Sequence, residues 1–194
     1  MTTSGIINSP FIGVDNFHIA KLLTDPVSGR ATYDDILSFP WLQSVSIEPQ
    51  SDETTLYADN QAVDTADVTS RYNLIIDTAT LPLEYRALLL GHTIENGVMT
   101  VTSEDTAPYF AVMFETTKRN GKRRYVKFLK VKFAEPSETA QTKEEGITYN
   151  TPSMTATAIY RNDKKALYQA DEEADGYTAS VGENWYTSVD PADG

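Results

Sequence analysis

Between Tyr109 and Phe133 the chain reads YFAVMFETTKRNGKRRYVKFLKVKF, and this stretch decides the fold. Tyr109 to Phe114 is apolar on both faces of an extended chain, as a central strand requires. Tyr125 to Phe133 returns with aromatic and β-branched residues set among lysines, the composition of a partner strand. Asn120-Gly121 between them is the strongest short hairpin signal in the chain. As a two-residue turn it opposes Arg119 to Lys122 and Lys118 to Arg123, with Glu115 facing Val126 and Phe114 facing Lys127. Like charges directly opposite each other destabilise a sheet, so two such pairs in succession call for a source of compensating charge.

On either side of this hairpin the dominant period is two. Phe17, Ile19 and Lys21 alternate with His18, Ala20 and Leu22, and the strand ends before Asp25-Pro26. Val45 and Ile47 share one face of a second strand that Pro49 is expected to stop. Residues 50–69 are polar and acidic, broken only by Leu56-Tyr57 and Val63, and read as a long loop. Tyr72, Leu74 and Ile76 mark a strand over Arg71–Asp77. Pro82 to Leu90 is the one convincing helix, with proline in its first turn, Gly91 after its last, and Leu81, Tyr85, Leu88 and Leu89 as its apolar stripe. A short strand, Val98–Thr102, follows Asn96-Gly97. A polar loop from Ala134 to Gly146 leads to a last strand, Ser153–Tyr160, and beyond Asn162 the pattern decays. These elements make a mainly β domain, a sandwich or half-open barrel with one flanking helix. One domain, 1–171, accounts for them, and 172–194 forms an acidic extension of open role.

The 194 residues are 40% hydrophobic and 10% aromatic, enough for a core. There is no cysteine, which excludes disulfides and thiolate metal sites and fits folding in a reducing cytoplasm. The first ten residues lack the layout of a signal peptide, and no apolar run approaches the ~20 residues of a membrane span, so membrane insertion is not expected. Net charge is −12, yet eight of the 16 basic residues fall between Lys118 and Lys132. So acidic a surface repels nucleic acid over about one Debye length, roughly 8 Å.

Catalytic patterns are missing. His18 and His92 stand in no metal-binding spacing, and there is no nucleophile elbow, phosphate loop or dinucleotide fingerprint. The pairs Asp34-Asp35, Glu144-Glu145 and Glu172-Glu173 are neighbours in sequence, so on a strand they point to opposite faces. No catalytic, metal or cofactor-binding residue is therefore expected, and no cofactor. Trp41 reads as core or interface, while Trp185-Tyr186 could serve adhesion.

Four stretches in order carry a resemblance: LYADNQAVDTA (Leu56–Ala66), LPLEYRALLLGH (Leu81–His92), Asp105–Pro136 around the hairpin, and YNTPSMTATA (Tyr149–Ala158). Together they resemble the major tail proteins of long-tailed bacteriophages (siphophages), over roughly Phe17 to Arg161. The resemblance implies a tail-tube fold in a non-enzymatic virion protein. Six copies would form a ring, rings would stack into a hollow tube, and DNA would pass through without specific binding. It also implies tape-measure and tail-terminator proteins as partners. On this reading Leu56, Tyr57, Asp59, Asn60, Val63 and Asp64 are candidates for contact between rings. Lys118, Arg119, Lys122 and Arg123 are candidates for contact with carboxylates of an adjacent subunit. The alternative is a carbohydrate- or surface-binding β-sandwich module of a phage tail.

Overall fold

The computed structural model describes residues 9–58, 61–138 and 151–190, with the backbone alone between 52 and 68. In chain order its elements are β1 (Phe11–Thr24), β2 (Thr32–Tyr33), β3 (Leu37–Ser38), β4 (Leu42–Ala58), β5 (Gln61–Thr78), α1 (Leu83–Leu90), β6 (Thr93–Glu95), β7 (Val98–Thr100), β8 (Tyr109–Lys118), β9 (Arg123–Phe133), β10 (Ser153–Ile159), β11 (Leu167–Asp171) and α2 (Ala179–Glu183). The main sheet is antiparallel and ordered β2-β1-β8-β9-β10-β5-β4, with β3 also beside β1 and β11 beside β9. β6 and β7 form a separate hairpin. The expected fold class is the one observed: mainly β, with α1 flanking the sheet.

β8 lies at the centre because both of its faces are apolar. Phe110, Val112 and Phe114 join one core cluster, and Ala111 and Met113 join another on the opposite side. β9 serves both clusters through a bulge. Phe110 opposes Val131 while Val112 opposes Phe128, so β9 carries an extra residue at Leu129–Lys130. One extra residue in a period of two moves every later side chain to the other face. Val126 and Phe128 before the bulge, and Val131 and Phe133 after it, thus reach the same core, while Leu129 reaches the opposite one. The outer neighbour of β9 changes here too: Arg124–Phe128 pair with β11 and Val131–Phe133 with β10.

The larger core draws buried side chains from β1, β8, β9, β10 and β5 into one cluster. In a flat sheet β1 and β4 would lie roughly 24 Å apart, five spacings of ~4.8 Å. They instead approach each other, and the Phe39 N–H donates to the Phe17 carbonyl. The sheet therefore curls around this core. α1 covers the remaining side with Ala87, Leu89 and Leu90, while Tyr85 packs edge-on to Phe39 and Trp41. Pro82 caps the helix rather than opening its first turn, and Gly91 ends it at φ 78°. A Cβ there would sit 2.4 Å from the Thr106 carbonyl oxygen, so glycine is required twice over.

Two expectations change. Pro49 does not end its strand: β4 runs through it to Ala58, paired with β5 all the way. β4 is the edge strand, where a missing N–H is tolerated. Residues 50–58 and 61–69 thus form the outer half of a β-ribbon, not an unpaired loop, paired from Ser51–Thr69 to Ala58–Gln61 with one register shift. No glycine or proline interrupts Gln50–Thr69, and the threonines and valines there favour extended backbone. The second change concerns the acidic extension. Residues 172–190 fold back over the second face of the sheet, burying Trp185 and Val189.

Candidate assembly surfaces

The β8–β9 turn differs by one residue from the expected register. Thr117 opposes Arg123 and Thr116 opposes Arg124, so the two-residue turn is replaced by a loop of Arg119, Asn120 and Gly121. The Gly121 N–H donates to the Lys118 carbonyl (2.9 Å), and the Lys118 N–H to the Lys122 carbonyl (2.8 Å). Gly121 has φ 80° while Asn120 keeps a negative φ, the geometry of a type I turn closed by a glycine bulge. The Asn120 carboxamide fixes this choice. Its oxygen accepts from the Lys122 N–H (3.1 Å) and its nitrogen donates to Glu173 (2.5 Å). At Asn96-Gly97 both residues are left-handed, at φ 51° and 79°, and a true two-residue turn joins β6 to β7.

Of the four candidate cations at this tip, Lys118, Lys122 and Arg123 have carboxylates within the chain, and Arg119 has none among the described residues. Lys118 is fully buried, and its Nζ donates to Asp171 Oδ1 (2.5 Å) and Glu173 Oε2 (2.6 Å). Burial alone would lower its pKa, but these two carboxylates outweigh it and the pKa is raised. Asp171, against burial, and Glu173, chiefly through Lys118, are held below the ordinary carboxylate range. Arg124 Nε reaches Asp171 (2.9 Å), Arg123 reaches Glu115 (2.7 Å), and Lys122 lies 4.0 Å from Glu172. The carboxylates expected from a neighbouring subunit thus come from the same molecule. Arg119, Lys122 and Arg123 remain exposed at the surface, and Lys118 does not.

Away from the tip, the nearly buried Arg161 donates to Asp163 (2.6 Å), Asp190 (2.9 Å) and the Tyr33 hydroxyl (3.1 Å). Lys127 Nζ donates to the carbonyls of Trp185 (2.8 Å) and Ser188 (2.7 Å) and lies 4.5 Å over the Trp185 ring. Burial lowers its pKa to about 8, against the opposing charge of Asp190. Sequence reasoning missed Lys127 and Arg161, since the contacts that seat them, Trp185 and Ser188 for one and Asp190 and Tyr33 for the other, are distant in the chain. Both indoles are packed inward, Trp41 against the larger core and Trp185 beneath the C-terminal segment, so neither offers an open stacking platform.

On the ribbon, Leu56 opposes Asp64, Tyr57 opposes Ala62, and Val63 is the extra residue of a bulge between them. Asp59 and Asn60 lie outside the described residues. Within the sheet β10 separates β5 from β9, so the two candidate sets occupy different strand pairs. The histidines are held by local bonds. His18 Nδ1 bonds the Asn16 carbonyl (2.8 Å), and its ring rests on Tyr186. His92 sits between Asp105 (2.6 Å) and Glu135 (2.7 Å); burial lowers its pKa, but the carboxylates prevail and it is raised. Among the described residues no cluster of His, Cys, Asp or Glu could hold a metal, and no helix is long and apolar enough to cross a membrane.

No curated protein matches the chain. Three solved structures resemble it weakly. They are the anti-feeding prophage baseplate (6% identity, TM-score 0.43, 84% of this chain and 97% of that one), an extracellular contractile injection system, the PVC sheath–tube complex in its extended state (11%, 0.45, 88% and 98%), and the anti-feeding prophage tube-terminating cap (9%, 0.46, 85% and 93%). At those scores no conclusion rests on them. The family model described as phage tail tube protein, in contrast, matches residues 47–181, from within β4 to within α2. With that match spanning most of the sequence, the chain belongs to the phage tail tube protein family and is a structural protein of the phage tail.

Proposed function

We propose that this chain is the repeating subunit of a tail tube: six copies close into a ring, rings stack, and DNA passes down the lumen without being gripped. The observation that carries the reading is the β4–β5 ribbon. β10 pairs with β5 no farther out than Arg71, which opposes Gln50, and from there, among the described residues, the ribbon continues with its own two strands. Ala58 lies eight positions beyond Gln50, a reach of roughly 26 Å at ~3.3 Å per residue. A two-stranded ribbon is marginal alone and gains stability by lying against another surface. A protrusion on one side of a subunit meets a different surface on its neighbour, the heterologous contact that gives open, stackable assemblies. The net charge of −12 suits a conduit, since each neutralised phosphate would add affinity for DNA. Leu56, Tyr57, Val63 and Asp64 of the ribbon, with Asp59 and Asn60, are assigned to contacts between rings. Tape-measure and tail-terminator proteins are the further partners.

Negative-stain microscopy of purified protein tests this reading. Hollow tubes of uniform width are the expected result. A preparation that stays monomeric or forms only small closed oligomers would indicate a surface-binding module instead.

A further inference from the structure

The C-terminal segment is fastened in an unusual way. Apart from those at the helix ends, the backbone hydrogen bonds of residues 174–187 are all local: Ala174 to Asp171 at the end of β11, Tyr177 to Ala174, Trp185 to Gly182, Thr187 to Asn184. Its hold on the domain is through side chains, so lifting it breaks no sheet ladder. α2 buries none of its own residues. The fastenings include Asp190 on Arg161, Arg30 and Tyr168, the Trp185 and Ser188 carbonyls on Lys127, the Tyr186 hydroxyl on Glu115, and Val189 and Tyr186 against the second core.

Two of these fastenings are poorly satisfied. Trp185 Nε1 is buried without a hydrogen-bond partner. Lys127 meets carbonyls rather than carboxylates, and burial lowers its pKa to about 8. A permanently closed layer has no use for an orphaned indole and a desolvated ammonium in the same seat. Before the segment, Asp171 and Glu173 anchor its base to Lys118, and Gly176 at φ 82° forms the bend above that anchor.

We propose that residues 174–190 are a strap that closes over the second face of the sheet in the free subunit and lifts on assembly, when a second copy takes the bared surface. This rests on the tube-subunit reading. Charge complementarity identifies the occupant. Lifting takes the carbonyls from Lys127, leaving it a cation without a carboxylate opposite Met113, and takes Asp190 from Arg161, which keeps only the Asp163 carboxylate. Another copy, at net charge −12, supplies carboxylates in plenty. The strap in its closed position keeps that surface from engaging too early.

Hydrogen exchange of the monomer tests the opening, and a covalent lock tests its role. The Trp185 and Thr187 amides are expected to exchange at least roughly tenfold faster than those of β8, and faster still as salt screens the ion pairs. Exchange as slow as in β8 overturns the proposal. For the lock, His18→Cys with Tyr186→Cys places two thiols where the rings lie 4.5 Å apart, in a chain with no other cysteine. Joined by a short cleavable bis-maleimide, the protein is expected to stay folded and unassembled, then to form tubes after cleavage. Locked protein that assembles as fast as unlocked protein also overturns the proposal. If neither form makes tubes, the tube-subunit reading fails, while the exchange result still decides whether the strap opens independently.

Discussion

The β4–β5 ribbon and the β8–β9 tip are both hairpins rich in charge, and the sequence recommends both as places where copies meet. The structure treats them oppositely. At the tip, Lys118 is sealed between Asp171 and Glu173, Arg124 shares Asp171 with it, and Arg123 meets Glu115. The ribbon runs beyond the last strand that flanks it. Like charges facing one another call for compensation, but they do not say whose carboxylates provide it. Only the placement of a segment some 50 residues later answers that, as the Lys118–Asp171 contact illustrates.

The sharpest way to break this comparison is to remove one member. Replacing residues 52–68 by a two-residue Asn-Gly turn should leave the monomer folded, with tube formation lost, as read by thermal unfolding and microscopy. Tubes of normal yield would show that the ribbon is not an inter-ring contact. At the tip the expectation is reversed. Lys118→Glu puts a third carboxylate beside Asp171 and Glu173 and should cost the monomer about 3–5 kcal/mol, the usual penalty for breaking a buried pair. Arg119→Glu, on the exposed loop, should stay within about 0.5 kcal/mol in the same denaturant titration. Equal effects of the two substitutions would mean that the tip is not sealed.

A third substitution serves as a control remote from both hairpins. His92→Gln should cost about 1–2 kcal/mol near pH 6 and leave assembly of the folded fraction intact. Since the folded pKa of His92 is raised above 6.5, its contribution is fully present below pH 6.5 and fades as pH rises through the folded value. A stability profile of the variant parallel to wild type across that window would refute the ion pairing. A modest effect is expected of Gly121→Ala. The added methyl meets no atom within 4 Å, so only the left-handed backbone is strained, by about 1 kcal/mol.

Much of the central sheet was legible because its signals are local. β8, β9, β10 and α1 announce themselves by period, turn and cap, and the structure places them within a residue or two. The ribbon was misread because polar composition was taken for an absence of structure. The lack of glycine and proline over Gln50–Thr69, with its threonines and valines, was the cue available. The one-residue slip at Asn120-Gly121 has a cause outside the hairpin, since Glu173 holds the asparagine that shapes the loop. β11, α2 and the seats of Lys127 and Arg161 could not be foreseen from spacing. Each depends on pairings between residues tens of positions apart, in a region where neither period nor turn chemistry speaks.

Pro49 has a consequence for the time before a tube exists. A pool of free subunits at high concentration is at risk of sticking edge to edge, one exposed border templating the next into disordered aggregate. β4 is such a border, and at Pro49 it has a tooth missing: no donor stands there for an incoming stray strand. The gap costs little within the sheet and spoils the border as a template, so the pool can keep its solubility until ordered growth begins.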